Sequence, residues 1–207
     1  MNIFYAVSTF IYSDDVYAYG QPVDARYSVI CPCCPHCGVS LGPDFWLEPR
    51  KVILTRSKYG DFVGGNEFLV SERFKEAYEK SGLNGIKQFY PVEVIKVLSL
   101  RGDPPTPPKY YLPIIVYSFA RVNFRKSVIV GRRDRYCSLC NPKARTKDKM
   151  DGLYIDDRGW DGEDLFHLHE LGSLVFASQR FVDFCLEHEF TNFIYYDTRE
   201  YKFGEFD

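Results

Sequence analysis

A chain of 207 residues, 45% hydrophobic and 26% charged, can bury one sizeable core and is too apolar for a disordered tail. No apolar run approaches the roughly 20 residues that a membrane helix needs, and the opening Met1-Asn-Ile-Phe-Tyr-Ala lacks the basic start of a secretory leader. A cytoplasmic protein without a membrane segment is therefore expected. The net charge of −2 conceals a basic stretch, 12 Lys and Arg against 3 Asp in residues 101–150, and an acidic one, 4 against 14 in residues 151–207.

Seventeen Phe and 16 Tyr favour sheet, because aromatic rings fit a pleated, half-buried surface. Residues 1–30 alternate aromatic with small or polar positions, as in Phe4, Ala6, Ser8 and Phe10, which predicts one or two strands with a turn at Tyr19–Pro22. A short strand is expected at Lys51–Thr55, and the glycine-rich Gly60–Gly65 reads as a bend, since no Lys-Ser/Thr follows to make a phosphate loop.

Ser71 then has the form of a helix N-cap, with Glu72 in the first turn and Gly82 as the stop; Phe74, Ala77 and Tyr78 form the apolar stripe. Ile86–Leu100 is rich in Val and Ile and reads as a strand. The four prolines of residues 101–108 interrupt it, and strands resume at Leu112–Phe119 and Ser127–Val130.

The second half echoes the first. Ser71-Glu-Arg-Phe74 matches Ser178-Gln-Arg-Phe181, and at the same offset of 107 Tyr78 aligns with Cys185, Leu83 with Phe190, Asn84 with Thr191 and Ile86 with Phe193. The expectation is a single α+β domain over residues 1–207, made of two pseudo-repeated helix–strand units (about 1–100 and 110–207) on a mainly antiparallel sheet.

Seven cysteines punctuate the chain. Cys34-Pro-His-Cys37 is followed by Gly38, which lets the backbone turn beneath a metal, and Cys137-Ser-Leu-Cys140 repeats the spacing. Four thiolates close a tetrahedral zinc completely, so Cys34, Cys37, Cys137 and Cys140 are expected to hold one structural Zn2+ that joins the two halves. An iron–sulfur cluster is the alternative, and Cys31 or Cys33 could replace a ligand. Cys185 reads as core, because it shares the helix stripe position of Tyr78.

Catalytic signals are few. No G-x-S-x-G, P-loop or H-E-x-x-H occurs; His167 and His169 could serve a metal-dependent hydrolase, but a chemically idle strand face is the commoner meaning of such a pair. The basic Arg132–Arg135 and Lys143–Lys149 beside a knuckle suit a zinc-ribbon nucleic-acid-binding regulator, which the acidic end opposes.

The order of Cys-x-x-Cys-Gly, Tyr59–Phe62, Leu69–Phe74, Gly82-Leu83, Pro91–Val94 and the late Cys-x-x-Cys resembles the double-CxxCG motif family of bacterial, myxobacterial-type proteins. The likeness covers about residues 30–205, with Asn141 where the second knuckle has Gly. It implies a non-enzymatic immunity protein that binds and neutralises a cognate toxin domain of a polymorphic toxin system. It supplies no binding residues. From the sequence itself, the acidic Asp156, Asp157, Asp161, Glu163 and Asp164 around Trp160 make a candidate partner surface, suited to a basic toxin groove.

Overall fold

The computed structural model describes residues 2–8, 17–29, 44–65, 67–98, 102–131, 147–172 and 174–203. In chain order the strands are β1 (Phe4–Ser8), β2 (Gly20–Pro22), β3 (Tyr27–Val29), β4 (Asp44–Trp46), β5 (Lys51–Leu54), β6 (Phe62–Val63) and β7 (Leu69–Ser71). Helix α1 (Glu72–Ser81) precedes β8 (Ile86–Val97), β9 (Tyr110–Ser118), β10 (Arg121–Val122), β11 (Val128–Gly131), β12 (Lys147–Asp151), β13 (Ile155–Asp156), β14 (Leu165–Leu168) and β15 (Val175–Ser178). Helix α2 (Gln179–Glu187), β16 (Ile194–Asp197) and β17 (Lys202–Phe203) complete the order.

The architecture is α+β. One ten-stranded sheet runs β16-β1-β15-β14-β9-β8-β5-β2, with β7 and β6 branching from β9. It is mixed: most pairs are antiparallel, but β5–β8 and β9–β14 are parallel. Both parallel pairs join strands separated by long connections, which parallel pairing requires.

Side-chain alternation sorts the core into two faces. Along β9, Tyr111 and Ile115 join the cluster formed by both helices, whereas Leu112, Ile114 and Val116 point the other way. Phe4 and Ala6 of β1 likewise face away from the helices, and Val7 faces toward them. The helix side is built around Phe62, Phe74, Phe181 and Phe184, with Phe74 ringed edge-on by Phe62, Phe184 and Phe190. The opposite side carries two clusters, one under β1, β14 and β15 and one under β5, β7, β8 and β9.

Strand β7, α1 and β8 have the same order and pairings as β15, α2 and β16. Val70 pairs with Tyr111 of β9, as Ala177 pairs with Tyr5 of β1; Tyr90 pairs with Leu112, as Tyr196 pairs with Ala6. The N-terminal strand thus does for the second unit what β9 does for the first. Both caps form as the sequence predicts: Ser71 accepts from the amide of Phe74 and Ser178 from that of Phe181. Gly82 ends α1 at φ 71°, and the equivalent Glu189 follows α2 at φ 51°.

Two expectations change. Tyr19–Pro22 is no turn, because Gly20–Pro22 pairs with β5 at the sheet edge, where a proline without an N–H is tolerated. Residues 60–65 are not a simple bend, since Phe62 and Val63 form a fully buried strand against β7. Here glycine is required at Gly65: it sits at φ 142°, and a Cβ would fall 2.3 Å from the Gly20 carbonyl oxygen.

Candidate functional site

The expected zinc ligands Cys34, Cys37, Cys137 and Cys140, with Cys31 and Cys33, lie outside the described residues. Their flanks are described. Residues 30–43 connect β3 to β4, whose antiparallel register matches Val29 with Asp44. Residues 132–146 connect β11 to β12, where Gly131 is matched with Lys147. Trp46 of β4 is buried in the cluster under β5 and β8, and Ile129 and Met150 of β11 and β12 pack into the cluster under β1 and β14. Both strand pairs therefore rest on the sheet face that the helices leave uncovered. Cys185 is a free buried thiol of α2, and burial pushes its pKa up. Among the described residues no group of three His, Cys, Asp or Glu is placed to hold a metal.

The acidic segment is not one exposed patch. Asp164 is 1% exposed and belongs to the interior: it accepts from the Ser178 hydroxyl at 2.7 Å and the Asn84 amide at 3.1 Å, with Arg180 at 3.3 Å. Trp160 is half-buried: it packs edge-on against Phe4 at 5.1 Å and donates its indole N–H to the Glu163 carbonyl. The burial of Asp164 corrects its place in the expected partner surface. A charge-rich run cannot reveal that β14 begins at its end and draws Asp164 inward.

The others are closer to water. Asp156 is bound by Arg158, whose guanidinium holds its carboxyl down at about 2. Asp157 accepts from Asn2, Glu163 accepts from Ser118 and from the Asp161 amide, and Asp161 is exposed.

The most organised polar group among the described residues is one that the sequence reading missed. Asp61 accepts from the Ser71 hydroxyl at 2.7 Å, from Arg73 at 2.7 Å and 3.1 Å, and from the amide and hydroxyl of Thr191, both at 2.9 Å. Its own amide donates to the Thr191 hydroxyl, as the Asp164 amide donates to the Asn84 side chain. Each aspartate thus holds the N-cap serine of one helix and the loop that follows the other. Ser71/Ser178, Arg73/Arg180 and Asn84/Thr191 all stand 107 residues apart, so the echo in the sequence is the ligand set of two reciprocal carboxylates. Burial alone would raise the Asp61 carboxyl, but the bonds from Arg73, Thr191 and Ser71 outweigh it and hold it below the usual carboxylate range.

His167 and His169 do not converge on a site of their own. The Nδ1 of His167 lies 2.8 Å from the Leu174 carbonyl, and burial lowers its pKa. The His169 imidazole stacks on Tyr117 at a centroid distance of 4.9 Å, and that of His167 lies tilted against the same ring at 5.2 Å. No protein-family model matches the chain, and no curated protein matches it, so the family likeness rests on the order of motifs alone.

Proposed function

We propose that this chain is a zinc-stapled scaffold that binds a protein partner, and that the partner is a cognate toxin domain which it neutralises. The observation that carries the scaffold reading is the shared face of the two strand pairs. Cys34 and Cys37 belong to the β3–β4 connection, Cys137 and Cys140 to the β11–β12 connection, and the buried residues of both pairs pack on the same side of the sheet. Four cysteine thiolates suit a closed structural Zn2+, which would hold the two connections together and leave no position for a substrate. A cross-link between such distant segments removes much of the unfolded chain's freedom.

The toxin reading follows from the order of motifs together with the carboxylates that remain near water. Asp157, Asp161 and Glu163 lie beside the core-anchored Trp160 and would steer a basic surface into contact. Sequencing the neighbouring gene and co-expressing any toxin-like C-terminal domain it encodes tests it: a stable complex and survival of the host are expected. Survival without a complex, or a complex without protection, contradicts the reading.

A second reading, a zinc-ribbon regulator that binds nucleic acid through Arg132–Lys149, falls mostly on residues 132–146, outside the described ones; the exposed Arg125 and Lys126 just before β11 belong to the same basic stretch. Salt-sensitive retention on heparin and single-stranded DNA is its distinguishing result.

A further inference from the structure

Strand β8 carries an irregularity that the second unit lacks. Ile86 faces Ile115 of β9 and Gln88 faces Ile114, which leaves Lys87 unmatched in a β-bulge. The strand registers confirm the extra residue. Ser71 and Tyr90 face Tyr110 and Leu112, as Ser178 and Tyr196 face Phe4 and Ala6, so the offset between the units is 107 at the cap and 106 past the bulge. Lys87 therefore has no counterpart. A bulge re-aims side chains, and here both Lys87 and Gln88 line a groove of about 450 Å3 between β8 and the end of α1. Its apolar wall is Leu83, Ile86 and Phe89. On the polar side Glu79 is bound to Lys75 at 2.9 Å, whereas the exposed Lys87 has no ion pair or hydrogen bond among the described residues. Tyr78, 5% exposed, accepts from the Ile86 amide at 3.0 Å, and its own proton has no acceptor among the described residues. Burial pushes its pKa up to about 12, so the hydroxyl keeps that proton at neutral pH. The second unit has Val182, Cys185 and Leu186 where the first has Lys75, Tyr78 and Glu79, so the shared fold does not require this polarity.

We infer that this groove binds a small carboxylate with an apolar tail, of the kind of a medium-chain alkanoate. Lys87 would pair with the carboxylate, the Tyr78 hydroxyl would donate to it, and Leu83, Ile86 and Phe89 would cover the tail. The volume lies within the roughly 300–1,000 Å3 of small-molecule sites. An organic cation would meet an unpaired ammonium, since the one carboxylate of the lining, Glu79, is already engaged. A bare anion without a tail would leave the apolar wall uncovered. The α1 end is also quieter than a free helix terminus, because the Ser81 hydroxyl donates to the Tyr78 carbonyl at 2.8 Å. The inference goes beyond the toxin reading and does not depend on it.

The test is titration of the full chain with octanoate, octylammonium and acetate, followed by calorimetry and by amide chemical shifts. Octanoate should occupy one site and shift the amides of Ile86–Phe89. Octylammonium, with the same tail and the opposite charge, and acetate, with the same head and no tail, should each bind roughly tenfold or more weakly. Lys87→Glu should lower octanoate affinity roughly tenfold or more, with the melting temperature unchanged because the side chain is exposed. Tyr78→Phe keeps the ring and removes the donor, and should lower it roughly tenfold. Because Tyr78 also holds the Ile86 amide, its melting temperature is measured alongside, and Lys87→Glu decides the matter if that variant unfolds. No binding of octanoate, octylammonium binding as tightly, full affinity in Lys87→Glu, or shifts confined to other parts of the chain would overturn the inference.

Discussion

The two strand–helix–strand units place the same polar device at the same point but build it from different residues. In the first, Asp61 is met by a two-pronged Arg73 and by both the amide and the hydroxyl of Thr191. In the second, Asp164 has Arg180 at 3.3 Å and the Asn84 amide, and its side chain is the more deeply buried, 1% against 10% exposed. Helix α1 buries Phe74 and Tyr78, while α2 buries Phe181, Val182, Phe184 and Cys185. One unit is thus held more by hydrogen bonds and the other more by apolar contact, yet each depends on the other for the ligands of its aspartate. Neither is a self-contained module.

Removing a hub is the strongest way to break this equivalence. Asp61→Ala leaves Ser71 and Thr191 without their acceptor and Arg73 with only the His188 and Glu189 carbonyls, and should cost about 3–4 kcal/mol in urea unfolding. Asp164→Ala strands fewer donors and should cost about 2–3 kcal/mol; a larger loss there than at Asp61 would invert the comparison. The caps come next. Ser71→Ala and Ser178→Ala should each cost about 1–2 kcal/mol, alike in the two units, because both serines also donate to an aspartate.

Acid tests the first hub by itself. The folded Asp61 carboxyl lies below its unfolded value, so its contribution is complete above the ordinary carboxylate range and drains away as pH falls through that range to the folded value. The stability of Asp61→Asn, measured by chemical unfolding from neutral pH to about pH 3, should therefore fall less steeply than that of the parent chain. A parallel fall would remove Asp61 as the source. The smallest change is at the helix ends: Glu189→Gly should stabilise by about 0.5–1 kcal/mol, because a side chain there pays for a left-handed φ that Gly82 adopts freely.

Much of this was legible before any coordinates. The N-cap serines, the α1 stop at Gly82, the strand at β8 and the core role of Cys185 follow from local chemistry and helix periodicity. The repeat was visible because helix and loop keep one spacing from Ser71 to Asn84 and from Ser178 to Thr191. The aspartates escaped because ten residues separate Asp61 from Ser71 and fourteen separate Asp164 from Ser178, which breaks the constant offset. A signal was there: each aspartate is followed directly by two apolar residues, Phe62-Val63 and Leu165-Phe166. Asp164 was misread because exposure is a property of the packed sheet, and a run of charges does not tell which member opens a buried strand.

The claim on which the scaffold rests is best tested by native mass spectrometry of the chain as purified, with thiol labelling, repeated on Cys137→Ser. The account predicts one zinc per chain, with Cys34, Cys37, Cys137 and Cys140 shielded from label until a strong chelator is added, and loss of the metal and a lower melting temperature in the variant. A metal-free chain with those four thiols freely labelled, or joined as disulfides, would contradict it.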